Sequence, residues 1–290
     1  MGEVYRARDS AVEIDPSFAE AWALKAKVIA EMAGDGQMAL GEARTQARDA
    51  LSRAMELDPE IAEVHAVRGT LTGNESSLRR AVELNPSSAF CQLQLGIHLV
   101  GSGQTEEGFE RLDAALRLDP ISNFTRQWVA AVYHWARRFE ESIAVLNRGF
   151  ELDPGDQPTM FDSIWLGLNN AALGRFVEAE DDCDRAGESE LCGLVYAVAG
   201  ARRKATDRLA LIQANPYVNP CYVAGIHAGL GDTDQALVWV ETAMQQRHPC
   251  LRICFMPLMY DILITDPRYQ AYLQTLAPNE GGSTDLILGS

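Results

Sequence analysis

Residues 87–120 read SSAFCQLQLGIHLVGSGQTEEGFERLDAALRLDP, and residues 121–154 follow at once with ISNFTRQWVAAVYHWARRFEESIAVLNRGFELDP. The two stretches have the same length and both close on Leu-Asp-Pro. Pro86, Pro120 and Pro154 stand 34 residues apart. Each stretch reads as two amphipathic helices joined by a polar turn. Proline ends the second helix, because it lacks an N–H and clashes with the preceding turn. A helix pair recurring at a fixed period specifies a stacked, one-dimensional array.

Outward from this centre the same unit recurs. Residues 1–16 fit the second helix of an incomplete repeat ending at Pro16. Repeat one runs to Pro59 and carries an insertion, and repeat two, to Pro86, is short. Repeats three and four are the quoted stretches. Repeat five is delayed by GDQPTM and continues as FDSIWLGLNNAALGRFVEAEDDCDRA. Repeat six is SELCGLVYAVAG with ARRKATDRLALIQ, and repeat seven is NPCYVAGIHAGLG with DTDQALVWVETAMQQR. The organisation predicted is a repeat array over 17–247, a C-terminal segment with a capping helix over 248–277, and a disordered polar tail over 278–290. Asp266-Pro267 is a good helix start, since Asp accepts an orphan N–H and Pro suits the first turn.

Aligned columns tie the repeats together. Where the first (A) and second (B) helices of a repeat cross, the A helix needs a small residue. That column is Ala26, Gly69, Gly96, Ala130, Gly167, Gly193 and Ala224. The facing B column is Ala47, Gly108, Ser142, Ala179, Ala205 and Ala236, missing only in short repeat two. A third column, against the next repeat, is Ala54, Ala81, Ala115, Gly149, Ala186, Ile212 and Ala243. The neighbouring large column, Leu95, Val129, Leu166, Cys192 and Val223, gives way to Lys25 and Arg68 in the first two repeats, whose stems are expected to snorkel or pack loosely.

The totals exclude several function classes. Forty-one acidic against 25 basic residues give a net charge of −16, which opposes nucleic acid, whose binding neutralises phosphates, and an anionic membrane surface. No signal segment follows Met1, and no apolar run reaches the ~18 residues of a membrane span. The six cysteines have no framework spacing, so buried reduced thiols in a cytoplasmic protein are expected.

On these columns and this period the chain resembles tetratricopeptide-repeat proteins over roughly 10–247. The resemblance implies an all-α, right-handed superhelical solenoid of about seven helix pairs and a non-enzymatic protein-interaction role. The HWARRFEESIAVL stretch and GLGDTDQALVWVETAMQQRHP…DPRYQAYLQTL look like the C-terminal repeat region of bacterial regulators, in which repeats follow a serine/threonine kinase, a winged-helix domain or a nucleotide cyclase. Met1-Gly2-Glu3-Val4-Tyr5-Arg6-Ala7-Arg8-Asp9 is similar to the end of a kinase glycine-rich loop. The first two glycines of that loop are missing, as are His-Arg-Asp and Asp-Phe-Gly, so phosphoryl transfer is not expected. The alternative reading is therefore a truncated or degenerate relative of such a kinase, the interaction module of a longer signalling protein; a chance match at a helix end would also account for the nonapeptide.

No catalytic, metal or cofactor constellation is predicted. His248, Cys250 and Cys254 lack the fourth ligand and second pair of a structural zinc site, and buried cysteines are expected there. The Asp181-Asp182-Cys183-Asp184 run is expected on a solvated face. The predicted surface is the concave groove lined by A helices: Phe90, Leu93 and Ile97, then Phe124, Gln127 and His134, then Phe161 and Ile164. Of the groove positions considered, only Lys27 is basic, so an anionic peptide end finds no clamp. A protein or peptide with apolar anchors and a basic flank fits instead. Phe90, Phe124 and Phe161 recur at one register. They form a ladder if the groove is open and are buried if adjacent A helices close over them.

Overall fold

A computed structural model of the chain describes residues 11–34, 38–152, 158–248 and 257–276. Among these residues the secondary structure is helical and contains no strand. The quoted nonapeptide, the Cys250 and Cys254 positions and the 278–290 tail lie outside the described residues.

The chain divides into two compact units, one through Asp119 and the other Pro120–Ala277. Among the described residues the N-terminal unit holds three antiparallel pairs. These are α1 (Ala19–Gly34) with α2 (Leu40–Leu57), α3 (Ala62–Thr72) with α4 (Glu75–Leu84), and α5 (Ala89–Gly101) with α6 (Thr105–Leu118). Among the described residues the C-terminal unit holds four pairs. They are α7 (Asn123–Trp135) with α8 (Phe139–Leu152), α9 (Met160–Ala172) with α10 (Phe176–Ala186), α11 (Cys192–Val198) with α12 (Arg202–Ala214), and α13 (Pro220–Gly229) with α14 (Thr233–Gln245). Two further helices, α15 (Pro257–Leu263) and α16 (Pro267–Leu276), follow. Within each unit an A helix touches its own B helix and the A helices on either side, the nearest-neighbour pattern of a solenoid.

The sequence directs these boundaries locally. Asn74, Ser88, Ser122, Asn219 and Asp232 each accept a backbone N–H at a helix start. Thr159 and Asp162 form a reciprocal capping box at α9, so orphan donors are satisfied before the apolar face begins. B helices α4 and α6 stop at Leu84 and Leu118, two residues before Pro86 and Pro120. At the other end, Asp266 Oδ1 accepts the Arg268 N–H at 2.8 Å, and Tyr269 of α16 is fully buried against the C-terminal core.

All three small-residue columns are buried. A side chain at Gly96 would meet Leu112 Cδ2 at 2.8 Å and the Gly108 carbonyl at 3.0 Å, so the α5–α6 crossing requires the missing Cβ. Gly149 serves a different purpose: its bare Cα leaves room for the Arg126 guanidinium, which is buried and also lies 5.4 Å from the Phe150 ring centre. The two long stems in the large column find local partners. Lys25 lies over Trp22, and Arg68 Nε donates to Ser77 Oγ at 2.9 Å.

Two expectations need correction. Cys183 and Cys192 form a disulfide, with Cα atoms 5.5 Å apart, in place of the reduced thiols expected. They meet because α10 ends and α11 begins within nine residues, which turns both side chains into the same junction between repeats. Cys221 is also disulfide-bonded, while Cys91 is a free, buried thiol. The acidic run is not simply a solvated face. Asp182 is buried and bonded by Asn170 and Arg185, and Asp184 is held by Lys204 at 2.8 Å and by the Tyr196 hydroxyl at 3.0 Å. Burial raises the Asp182 carboxyl pKa above its usual range, whereas hydrogen bonding from Lys204 lowers that of Asp184. Lys27, the one basic groove position, is buried and paired with Glu31 one turn on.

Candidate interaction surface

The A-helix face of the C-terminal unit begins at two capped first turns. Ser122 Oγ accepts the Thr125 N–H at 3.2 Å, and Thr159 Oγ1 accepts the Asp162 N–H at 3.2 Å. These caps fix Phe124 and Phe161 at equivalent positions on α7 and α9. Each residue is 41% exposed. Phe124 makes an edge contact with Trp128 at 6.4 Å. Trp128 does the same with Trp135 at 6.2 Å, and Trp135 with Trp165 of α9 at 6.3 Å. A continuous aromatic strip therefore runs along α7 and crosses to α9. The phenylalanine register was readable from the repeat period; the tryptophan links were not picked out, although the four-residue spacing of Phe124 and Trp128 places them on one helix face.

The other predicted groove residues divide by how closely neighbouring A helices approach. Phe90 and Ile97 of α5 are half-buried and Leu93 is fully buried. Ile164 is 2% exposed, in the C-terminal core. Gln127 is half-buried and is spent on the fold: its Nε2 donates to Thr159 Oγ1 at 2.8 Å and to Asp162 Oδ1 at 3.1 Å, clamping α7 to the capping box of α9. Beneath them Arg126 and Asp162, both buried, approach to 3.9 Å.

His134 is fully buried, away from any open groove. The Asn169 amide nitrogen donates to Ser142 Oγ at 2.8 Å and to the Trp165 carbonyl at 2.6 Å, so its Oδ1 is the acceptor facing His134 Nδ1 at 3.0 Å. The proton therefore sits on Nδ1. His134 Nε2 has no hydrogen-bond partner among the described residues, and the ring lies between Phe139 and Trp165, at 5.3 and 5.6 Å. Burial pushes its pKa down to about 4, so the imidazole is neutral near pH 7. Ser142 Oγ completes the chain by donating to the Ala130 carbonyl at 2.7 Å.

A segment from outside the repeats also lies on this face. Helix α15 packs on α9 and α13, with Leu258, Met259 and Leu263 buried in the C-terminal core. Its Asp261 accepts from both terminal nitrogens of Arg137, in the α7–α8 turn, at 2.9 and 2.6 Å. The A helices of this unit thus present Phe124 and Phe161 at one end, while α15 covers part of the remainder. Among the described residues no cluster of His, Cys, Asp or Glu could hold a metal ion, and no helix is long and apolar enough to cross a membrane.

No protein-family model matches this chain. Solved structures with a similar fold include a chain of the Cut9–Hcn1 hetero-tetramer of the APC/C, with a TM-score of 0.56 and 13% identity, over 95% of this chain and 59% of that one. Another is a tetratricopeptide repeat protein from Parabacteroides merdae, with a TM-score of 0.51 and 11% identity, over 81% of this chain and 98% of that one. A third is the human IFIT1 dimer with m7Gppp-AAAA, with a TM-score of 0.53 and 16% identity, over 90% and 72%. The chain spans about three-fifths of the length of the Cut9–Hcn1 chain it matches. At these identities the likeness establishes the fold: an all-α tetratricopeptide-type array of helix pairs.

Proposed function

We propose that this protein is a non-enzymatic interaction module that holds a protein or peptide partner on the aromatic A-helix face of its C-terminal unit. The observation that carries this reading is the equivalent, partial exposure of Phe124 and Phe161 on neighbouring helices whose inward positions His134 and Ile164 are buried. Exposed aromatics on a rigid wall are the usual anchors of an interface, because they bury large areas at low entropic cost. The charge of −16 favours a partner with a basic flank over nucleic acid, which is present in the IFIT1 structure.

The test replaces Phe124 and, separately, Phe161 with a photo-crosslinking phenylalanine analogue. Val177, 73% exposed on the B helix α10, serves as the control position. The same partner should be captured from 124 and 161 and not from 177. Purified, that partner should bind Phe124→Ala about thirtyfold more weakly, the ~2 kcal/mol of a hot-spot aromatic. No shared adduct, or unchanged affinity, would overturn the reading.

A further inference from the structure

The amide side chains along the A-helix face of the C-terminal unit are already taken up by the fold. Beyond Asn123, which opens α7, those of α7 and α9 are Gln127, Asn169 and Asn170. Gln127 donates to Thr159 and Asp162, Asn169 to Ser142 and the Trp165 carbonyl, and Asn170 to Asp182 at 2.8 Å. Helices α11 and α13 carry no amide side chain. Ser163 of α9 is buried below the surface.

An extended peptide laid on this face would bring a backbone N–H and C=O with every residue, and each loses water on contact. A face whose amides are engaged returns little to those groups. An α-helix arrives with its backbone bonds already made and needs only side-chain anchors. The chain itself uses that solution. Helix α15, which belongs to no repeat, lies on α9 and α13 with Leu258, Met259 and Leu263 buried in the C-terminal core.

Phe124 and Phe161 set the spacing of the anchors. They stand at one register on α7 and α9, which touch, and the axes of packed helices lie roughly 8–10 Å apart. Seven residues of a helix rise about 10.5 Å and return to nearly the same face. Two apolar side chains so spaced on one helix match the two rings. Met160, 47% exposed beside Phe161, widens the apolar surface.

We propose that the partner docks as an amphipathic α-helix crossing α7 and α9, with large apolar residues seven positions apart over Phe124 and Phe161 and lysine or arginine on its flanks. The flanking charge complements the net −16 of the chain. The assignment rests on the interaction-module reading and adds the partner's conformation and the spacing of its anchors.

The experiment selects two peptide display libraries of equal diversity on the full chain. Both randomise four positions and carry lysines on the flanks. One has a helix-forming alanine-rich frame, with the outer randomised positions seven apart; in the other, interspersed prolines hold the frame extended. Selected peptides are then measured on full chain carrying 13C-methyl methionine, through the Met160 methyl resonance, assigned with Met160→Leu. The helical frame should yield binders tighter by about tenfold or more, with large apolar residues at the two outer positions. They should shift the Met160 resonance saturably, and Phe124→Ala and Phe161→Ala should each weaken them by about tenfold. Equal or tighter binding from the extended frame, no binder from either, or helical binders indifferent to both substitutions would overturn the proposal. Extended binders that require Phe124 and Phe161 would remove the helix while leaving the aromatic face as the interaction site, so the two readings fail separately.

Discussion

At position 134 an imidazole occupies a site closed on every side by rings and a backbone-tethered asparagine. It illustrates how a polar residue can be consumed by packing. Within the fold it binds a proton only near pH 4, whereas an unperturbed histidine does so near 6.5. The unfolded chain therefore takes up a proton that the folded chain refuses. The stability tied to His134 is complete above about pH 6.5 and is lost as pH falls toward 4, by on the order of 3 kcal/mol over the whole interval. Urea unfolding of wild type and His134→Gln between pH 7 and 4 should show this component of the slope in wild type only. A variant with the wild-type slope would assign it to other groups. Residue-scale legibility was uneven for a physical reason. The small columns could be read from the sequence because crossing helices exclude a Cβ wherever the backbones approach, and that exclusion recurs every repeat. His134, Leu93 and Ile164 were assigned to an open groove because register reports which face of a helix a residue occupies. It does not report how near the next helix comes.

Among the elements, the α10–α11 junction is stapled covalently. The bond between Cys183 and Cys192 closes a loop of nine residues, which restricts the unfolded chain by about 2–3 kcal/mol in the loop-entropy account. A Cys183→Ala, Cys192→Ala variant, compared with the oxidised protein in denaturant, should lose stability of that order. Non-reducing peptide mapping should recover the 183–192 link from wild type. Recovery of both thiols free would remove the staple. This junction was hidden in the sequence, because nine-residue spacing on two helices has no framework signature. Helix α15 was hidden for a related reason. It belongs to no repeat, so no column could announce that it would fold back on α9 and α13. The repeat helices themselves were legible because period, proline stops and polar caps agree on the same boundaries.

Across the whole molecule the surplus of acid over base is large, 41 residues against 25, and many of the basic groups are spent locally. Arg79 bridges Glu75 and Glu107, and Lys204 bridges Glu180 and Asp184. Hydrogen bonding to Arg79 takes the Glu107 carboxyl pKa down to about 2. These pairs are partly open to solvent and contribute little each. What they leave is a surface whose uncompensated charge is negative. That surface is what the basic flank of the proposed partner would meet.

The pairing of Arg137 with Asp261 spans 124 positions of chain. A row of repeats normally needs only its neighbours, and it can fray from an end or grow one unit at a time. The C-terminal unit is different, because its first turn is tied to a helix that follows its last repeat. Contacts of such span delay folding, since the intervening chain must be ordered before they form. The unit should therefore melt in a single transition, with hydrogen-exchange protection in α7 and α13 lost together. Arg137→Glu should separate the two. Protection in α7 that fades independently in wild type would show an ordinary fraying row. During synthesis the same geometry imposes an order of events: α7 can pack on α8 and α9 as they emerge, but its tie to α15 waits for residue 261.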